Sequence, residues 1–193
     1  MSWVDAMRII AGTARGRGLV APAGKKTRPT SDKLRGALFN ILASRVEGAR
    51  VLDLFSGTGA FALEAMSRGA SSAVLVDSDR RAIEAIRKNA SAVLGDSAKT
   101  RIEIIQSDYR KAVGTLSGAQ FNLAFLDPPY ALVDAYADAI VLLSACNLLA
   151  DDVVLVLERA KGSEQVSAPG FYVYDARTYG DTAVDFMRRE IIE

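Results

Sequence analysis

Phe121-Asn-Leu-Ala-Phe-Leu-Asp-Pro-Pro-Tyr130 is the stretch on which the reading of this 193-residue chain turns. A short apolar run bounded by prolines reads as a fully buried parallel strand, here Asn122–Leu126. Pro128 and Pro129 can neither donate to a ladder nor continue into a helix interior, so the chain stops and turns there. The turn presents a carboxylate (Asp127), a carbonyl on a residue without an N–H (Pro128) and an aromatic ring (Tyr130). In open α/β sheets, ligands bind at this carboxyl edge. A plain strand-ending turn would look the same in isolation, so the flanking sequence has to decide.

On both sides, strands and helices alternate. Val51–Phe55, Ala73–Val76, Ile102–Ile105 and Val153–Leu157 read as short strands. Helices are expected at about 60–68, 80–93, 110–116 and 132–145. The second carries Ile83, Ile86, Ala90 and Val93 on one face, and the last carries Leu132, Ala135, Tyr136, Ala139, Ile140 and Leu143 on a buried stripe. This alternation predicts an α/β fold with a doubly wound, mostly parallel sheet. The end departs from it: Phe171–Thr178 and Ala183–Arg188, linked through Tyr179-Gly-Asp181, read as an antiparallel hairpin that completes seven strands. At the start, Arg8–Val20 reads as two short strands around a Gly-rich turn. A helix follows, capped by Thr30 or Ser31, with Leu34, Ala37, Leu38, Ile41 and Leu42 on its apolar side. The organisation expected is a small basic β-hairpin and helix extension on an α/β body, with the boundary between 1–30 and 31–193.

Composition narrows the chemistry. Half of the residues are hydrophobic and 24% are charged, as in a folded protein with a real core. The chain has no His and one Cys, which excludes Ser-His and Cys-His catalysis, histidine metal sites and an intramolecular disulfide. Cys146 lies in an apolar run and is expected to be a small buried hydrophobe. No charged-then-apolar leader is visible, and Ala139–Ala150 is too short and interrupted to span a bilayer, so a cytoplasmic protein with no membrane partner is expected. The net charge of +1 hides an asymmetry, because residues 1–35 hold eight Lys/Arg against Asp5 and Asp32. Arg8, Arg15, Arg17, Lys25, Lys26, Arg28 and Arg35 in that stretch are the expected contacts for a polyanionic partner.

Four acids end four successive strands: Asp53, Asp77, Asp108 and Asp127. Gly57 and Gly59, in Asp53-Leu-Phe-Ser-Gly-Thr-Gly59, let the backbone turn tightly toward a ligand. With Ala62 they also fit a dinucleotide fingerprint. Asp53 tilts the choice, since a carboxylate there would repel a pyrophosphate and suits a ligand bearing a cationic amino group. Asp77, 18 residues beyond Gly59, can accept from ribose hydroxyls. Asp108 can accept from an adenine amino group, with Tyr109 flanking the ring. Together the four acids predict one acidic crevice along one sheet edge.

These motifs, joined to Arg8-Ile-Ile-Ala-Gly12, Arg15-Gly-Arg-Gly-Leu19, Arg28-Pro-Thr-Ser-Asp-Lys-Leu-Arg35 and Leu38-Phe-Asn40, resemble the bacterial small-subunit (16S) ribosomal RNA guanine-N2 methyltransferase family, RsmD. The resemblance covers nearly the whole chain. It implies a Rossmann-like class I methyltransferase that uses S-adenosylmethionine, releases S-adenosylhomocysteine and needs no metal. The site it implies comprises Asp53, Phe55, Gly57, Thr58, Gly59, Asp77, Ser78, Asp108 and Tyr109 for the cofactor, and Asp127, Pro128, Pro129 and Tyr130 for catalysis. The partner implied is 16S rRNA or the small ribosomal subunit; for oligomeric state, a monomer is the default expectation. One departure is Gly36, where that family usually has Glu. A DNA adenine-N6 or protein amino methylase shares the Asp-Pro-Pro-Tyr chemistry and is the alternative enzyme. A nicotinamide-dependent oxidoreductase leaves Asp53 and the proline turn unexplained. A non-catalytic ribosome-assembly factor would not need the full set of acids and glycines.

Overall fold

The computed structural model describes residues 7–22, 32–116, 120–129, 132 and 134–190. Its elements run α1 (Asp32–Leu42), β1 (Arg50–Asp53), α2 (Ala60–Ser67), β2 (Ser72–Asp77), α3 (Arg80–Leu94), α4 (Ala98–Arg101), β3 (Ile102–Gln106), α5 (Tyr109–Thr115), β4 (Phe121–Leu126), α6 (Ala135–Ala145), β5 (Leu149–Ala160), β6 (Phe171–Tyr179) and β7 (Thr182–Arg189). They form one seven-stranded sheet in the order β3-β2-β1-β4-β5-β7-β6. The first five pair in parallel, and β7 inserts antiparallel between β5 and β6. This is the α/β Rossmann-like arrangement the alternating pattern predicts. The switch in strand order falls between β1 and β4, which places a ligand crevice above their carboxyl ends.

Both faces of the sheet are covered. On one face α1, α2 and α3 pack Leu38, Phe39, Phe61, Met66, Ile83 and Ile86 onto Val51, Leu75 and Phe125. On the other, α5 and α6 pack Val113, Tyr136, Ile140 and Leu143 onto Leu52, Leu126, Leu155 and Leu157. Burial on both sides explains why the central strands read as continuous apolar runs.

Several boundaries differ from expectation. β5 starts at Leu149, four residues early, because exposed Asp151 and Asp152 interrupt its apolar pattern. α6 starts at Ala135. Leu132 instead closes a turn on the prolines, donating to the Pro129 carbonyl at 2.8 Å, and its side chain is 48% exposed rather than on the buried stripe. Cys146 is exposed, contrary to expectation, because it caps the end of α6 past the last buried position, Leu143. The expected helix caps Thr30 and Ser31 lie outside the described residues. Among the described residues, no helix is long and apolar enough to cross a membrane.

The basic arm folds onto the body. Residues 7–20 form one tight turn with a single Arg8–Gly18 bridge, not two full strands. The turn is held by Ile9 N–H to the Arg17 carbonyl (2.9 Å) and Leu19 N–H to the Met7 carbonyl (2.7 Å). Ile9 and Leu19 pack on Ala60, Leu63 and Ala90 of α2 and α3. Three polar side chains fasten it further. The fully buried Glu64 carboxylate accepts from Ile10 N–H (2.7 Å), Ala11 N–H (3.0 Å) and Arg68 Nε (2.6 Å). Ser67 Oγ donates to the Ala11 carbonyl and accepts from Ala14 N–H. Asn89 bonds both backbone groups of Val20. Gly12 sits so close to α2 that a Cβ would lie 1.9 Å from the Ser67 carbonyl oxygen, so only glycine fits.

Candidate active site

The site lies where the strands end. Asp53 closes β1, and Asp127 is the first residue past β4. Leu126 is in register with Leu157, so Asp127 has Glu158 of β5 as its lateral neighbour. Leu52, Leu126 and Leu157 all point into the α5/α6 core. Side chains alternate along a strand, so the next residues, Asp53, Asp127 and Glu158, emerge together on the opposite face. Asp53 is 3% exposed and Glu158 8% exposed, while Asp127 is partly buried.

Their environment is unusual for carboxylates. Burial pushes the Asp53 carboxyl up to about 7; the nearby Asp77 charge adds to this, and the Ala62 N–H at 3.4 Å opposes it. Asp127 is pushed well above the ordinary carboxylate range, first by burial and then by the negative charges of Glu158 and Asp53. No donor among the described residues bonds the Asp127 carboxylate. A buried acid without protein donors is poised for a ligand that brings its own.

The glycine loop is built differently. Asp77 Oδ2 accepts from Gly57 N–H at 2.8 Å, and Oδ1 accepts from Asp79 N–H at 2.8 Å, which ties the loop to the end of β2. Gly59 has φ +75°, and a Cβ there would meet Leu75 Cδ2 at 2.9 Å. Thr58 turns away from the crevice: its hydroxyl donates to Met7 Sδ at 3.4 Å, and its carbonyl accepts from Asn89 Nδ2 at 2.9 Å. Ser78 is exposed next to Asp77. Asp79, two residues on from Asp77, caps α3 by accepting from Arg81 N–H.

At the end of β3, exposed Asp108 caps α5 through Arg110 N–H at 3.0 Å. The Tyr109 ring is buried against Phe55 with centroids 5.2 Å apart. Its hydroxyl donates to Asp138 at 2.6 Å, and burial, reinforced by Asp138, pushes it up to about 12. Tyr109 is thus committed to protein partners, and half-buried Phe55 is the more accessible ring. The structure brings Asp53, Gly57, Gly59, Asp77 and Asp127 to one edge, with Pro128 and Pro129 following. Tyr130 lies outside the described residues.

Of the expected RNA contacts, Arg15 and Arg17 are exposed on the arm's turn, and Arg8 is exposed but paired with Asp32 at 3.1 Å. Lys25, Lys26 and Arg28 lie outside the described residues. Arg35 is a correction. Its side chain is fully buried, bonded to Asp32 at 2.9 Å and to the Arg8 carbonyl, so it braces the arm from inside. Gly36 leaves room for a side chain, since an added Cβ would have Ile10 Cγ2 at 3.7 Å as its nearest neighbour.

Three residues of the structure have no counterpart among the sequence expectations: Glu158, Glu64 and Asn89. Glu158 carries the same signal as the four acids singled out, the first charge after an apolar strand. Glu64 stands as a lone acid in the apolar run Ala60-Phe-Ala-Leu-Glu-Ala-Met66. Asn89 carries no signal.

A family model described as "Conserved hypothetical protein 95" matches residues 7–188. The chain belongs to that family. Among its relatives, the Bacillus subtilis protein named "Putative rRNA methyltransferase YlbH" is 32% identical over 186 residues, covering 95% of this chain and 99% of that protein. The Escherichia coli protein named "Ribosomal RNA small subunit methyltransferase D" is 31% identical, covering 95% and 90% respectively. The solved structure titled "Putative methyltransferase yhhF from Escherichia coli" superposes with a TM-score of 0.82 at 31% identity, covering 96% of this chain and 98% of that one.

Proposed function

We propose that this protein methylates ribosomal RNA, transferring a methyl group from S-adenosylmethionine to the exocyclic N2 amine of a guanine in 16S rRNA within an assembled or partly assembled small subunit. The observation that carries the reading is Asp127: a carboxylate with no donor among the described residues, followed by two prolines, beside an acidic crevice fitted to an aminoacyl nucleoside. The relatives' names support the substrate class: one refers to rRNA methylation and another to the small ribosomal subunit.

The residues present fit the cofactor. Asp53 would hold its ammonium, Asp77 its ribose hydroxyls, and the Gly57–Gly59 turn its close approach to the backbone. When bound, it supplies an electrophilic methyl on a sulfonium. The chain's task is then to make an amine nucleophilic. An exocyclic amine donates its lone pair into the ring. Asp127 and the Pro128 carbonyl, accepting the two amine N–H bonds, draw the nitrogen toward a tetrahedral shape and aim its lone pair. Positioning and charge complementarity supply the rate. The methylated, cationic nitrogen is acidic enough to lose its proton without a strong base. Tyr130 would stack on the base, which must leave its helix to reach the crevice.

Exposed Arg15 and Arg17 would meet phosphates, joined by Lys25, Lys26 and Arg28. Replacing Arg15, Arg17, Lys25 and Lys26 with Ala should leave cofactor binding unchanged. It should flatten the dependence of log Kd for rRNA on log salt by roughly 0.7 to 0.9 for each phosphate that is no longer neutralised. An unchanged slope would show that these charges face solvent only. The deciding experiment is transfer of labelled methyl to undermethylated small subunits, naked 16S rRNA and duplex DNA, followed by nucleoside analysis. N2-methylguanosine from the RNA samples is expected; N6-methyladenine from DNA would overturn the substrate assignment.

A further inference from the structure

Glu158 has no role in the chemistry above, yet it occupies the position beside the group that holds the reacting amine. Leu126 and Leu157 are in register, so Asp127 and Glu158 project from adjacent strands on the same face. Adjacent strands lie about 5 Å apart, a spacing two neighbouring ring atoms of one base can bridge through hydrogen bonds. β5 holds Glu158 firmly: it pairs with Val184 of β7, and its carbonyl accepts from the Tyr136 hydroxyl. The side chain is 8% exposed. Strand-borne and packed, it is a fixed feature of this end of the sheet.

The pair matters because guanine and adenine present different edges. Guanine carries two adjacent donors, the N1–H and the N2 amine. Adenine also carries an amine, but its N1 beside that amine is a lone pair. One acceptor at Asp127 would hold either base. Two acceptors side by side fit only an edge with two donors, and a carboxylate facing the adenine N1 lone pair would be repelled.

We propose that Glu158 is the specificity residue of this enzyme, accepting the N1–H of the target guanine while Asp127 and the Pro128 carbonyl hold its N2 amine. The inference rests on the reading of the N2 amine as the methyl acceptor, and it adds the means by which that base is chosen. The mutual repulsion that raises Asp127 in the free protein is relieved when a donor–donor edge spans both acids, so the correct base completes the site electrostatically.

The test uses the full chain and small subunits reconstituted with 16S rRNA. The target guanine, located first by wild-type labelling, is either kept or replaced by 2-aminopurine, which has the amine but no N1–H. Wild type should prefer guanine in kcat/KM by about tenfold to a hundredfold. Glu158→Ala should bring the two substrates within about twofold while S-adenosylhomocysteine affinity stays unchanged. Glu158→Gln keeps a carbonyl acceptor at the same reach and should restore an intermediate preference. A wild-type preference retained by Glu158→Ala would overturn the proposal. If Glu158→Ala fails to fold, Glu158→Gln decides alone: a reduced ratio supports the assignment and an unchanged ratio overturns it. Wild-type labelling at an atom other than guanine N2 would instead defeat the parent reading, before any variant is compared.

Discussion

The acids at the sheet's carboxyl edge fall into two groups. On the β2 and β3 side, Asp77, Asp79 and Asp108 each accept backbone N–H bonds at 2.8 to 3.0 Å. On the β1 and β4 side, Asp53 accepts a long bond from Ala62 N–H and a side-chain bond from Ser56, and Asp127 has no donor among the described residues. The first group shapes loops and helix starts whether or not a ligand is present. The second holds unused acceptor capacity at a cost in solvation, which a ligand's donors would offset. Position at a strand end therefore does not define function.

The sharpest break of this contrast is Asp127→Ala. Methyl transfer should fall by roughly a thousandfold or more, while folding and S-adenosylhomocysteine binding, measured by calorimetry, stay near wild type. Near-normal turnover would move Asp127 into the structural group.

Asp53 gives the next effect, through pH. Its carboxyl sits near 7 in the fold, against an ordinary value near 4. The free site is therefore mostly protonated below 7, and an ammonium ligand must bind the ionised form. Cofactor affinity should rise about tenfold per pH unit from 5 toward 7 and then level off. The stability of the ligand-free protein should run the other way. Between about pH 4 and 7 the unfolded chain loses this proton while the fold keeps it, so stability falls as pH rises and flattens above 7. Asp53→Asn should remove both slopes. A wild-type affinity profile that is flat from pH 5 to 7 would break the assignment.

The smallest effect is expected at Asp79, where the carboxylate caps α3. Asp79→Ala should lower stability by about 0.5–2 kcal/mol and leave the pH profile of methyl transfer unmoved. A changed profile would show that the two groups of acids communicate.

The parallel sheet is legible in the sequence because its central strands are buried on both faces and read as apolar runs. Asp53, Asp77 and Asp127 are legible for the same reason, since each is the first charge after such a run, whereas Asp108 follows the half-exposed, Glu103-interrupted β3. What the sequence hides depends on distance or on competing local signals. Glu64, Ser67 and Asn89 meet the arm across 53 to 69 residues of chain, and no local pattern announces those bonds. Leu132 satisfies helical spacing, but the turn closed on Pro129 takes its N–H before the helix begins. Glu158 is visible as a charge but unmarked, because β5 has no motif to draw attention to its end. Arg35 shows the opposite error: a basic stretch invites a surface reading, and one of its members is interior.

The clasp of α2 and α3 on the arm bears on how this enzyme could be modular. A leader that merely carried charge could be cut away, exchanged between relatives or fused elsewhere, and the catalytic body would survive the surgery. Here removal of residues 7–20 would leave Glu64 in an apolar helix with Arg68 but without the two N–H donors it now holds, and would strip the cover from Ala60, Leu63 and Ala90. A shortened chain would be expected to lose solubility, because the arm's turn and the cover of α2 and α3 are one packed unit.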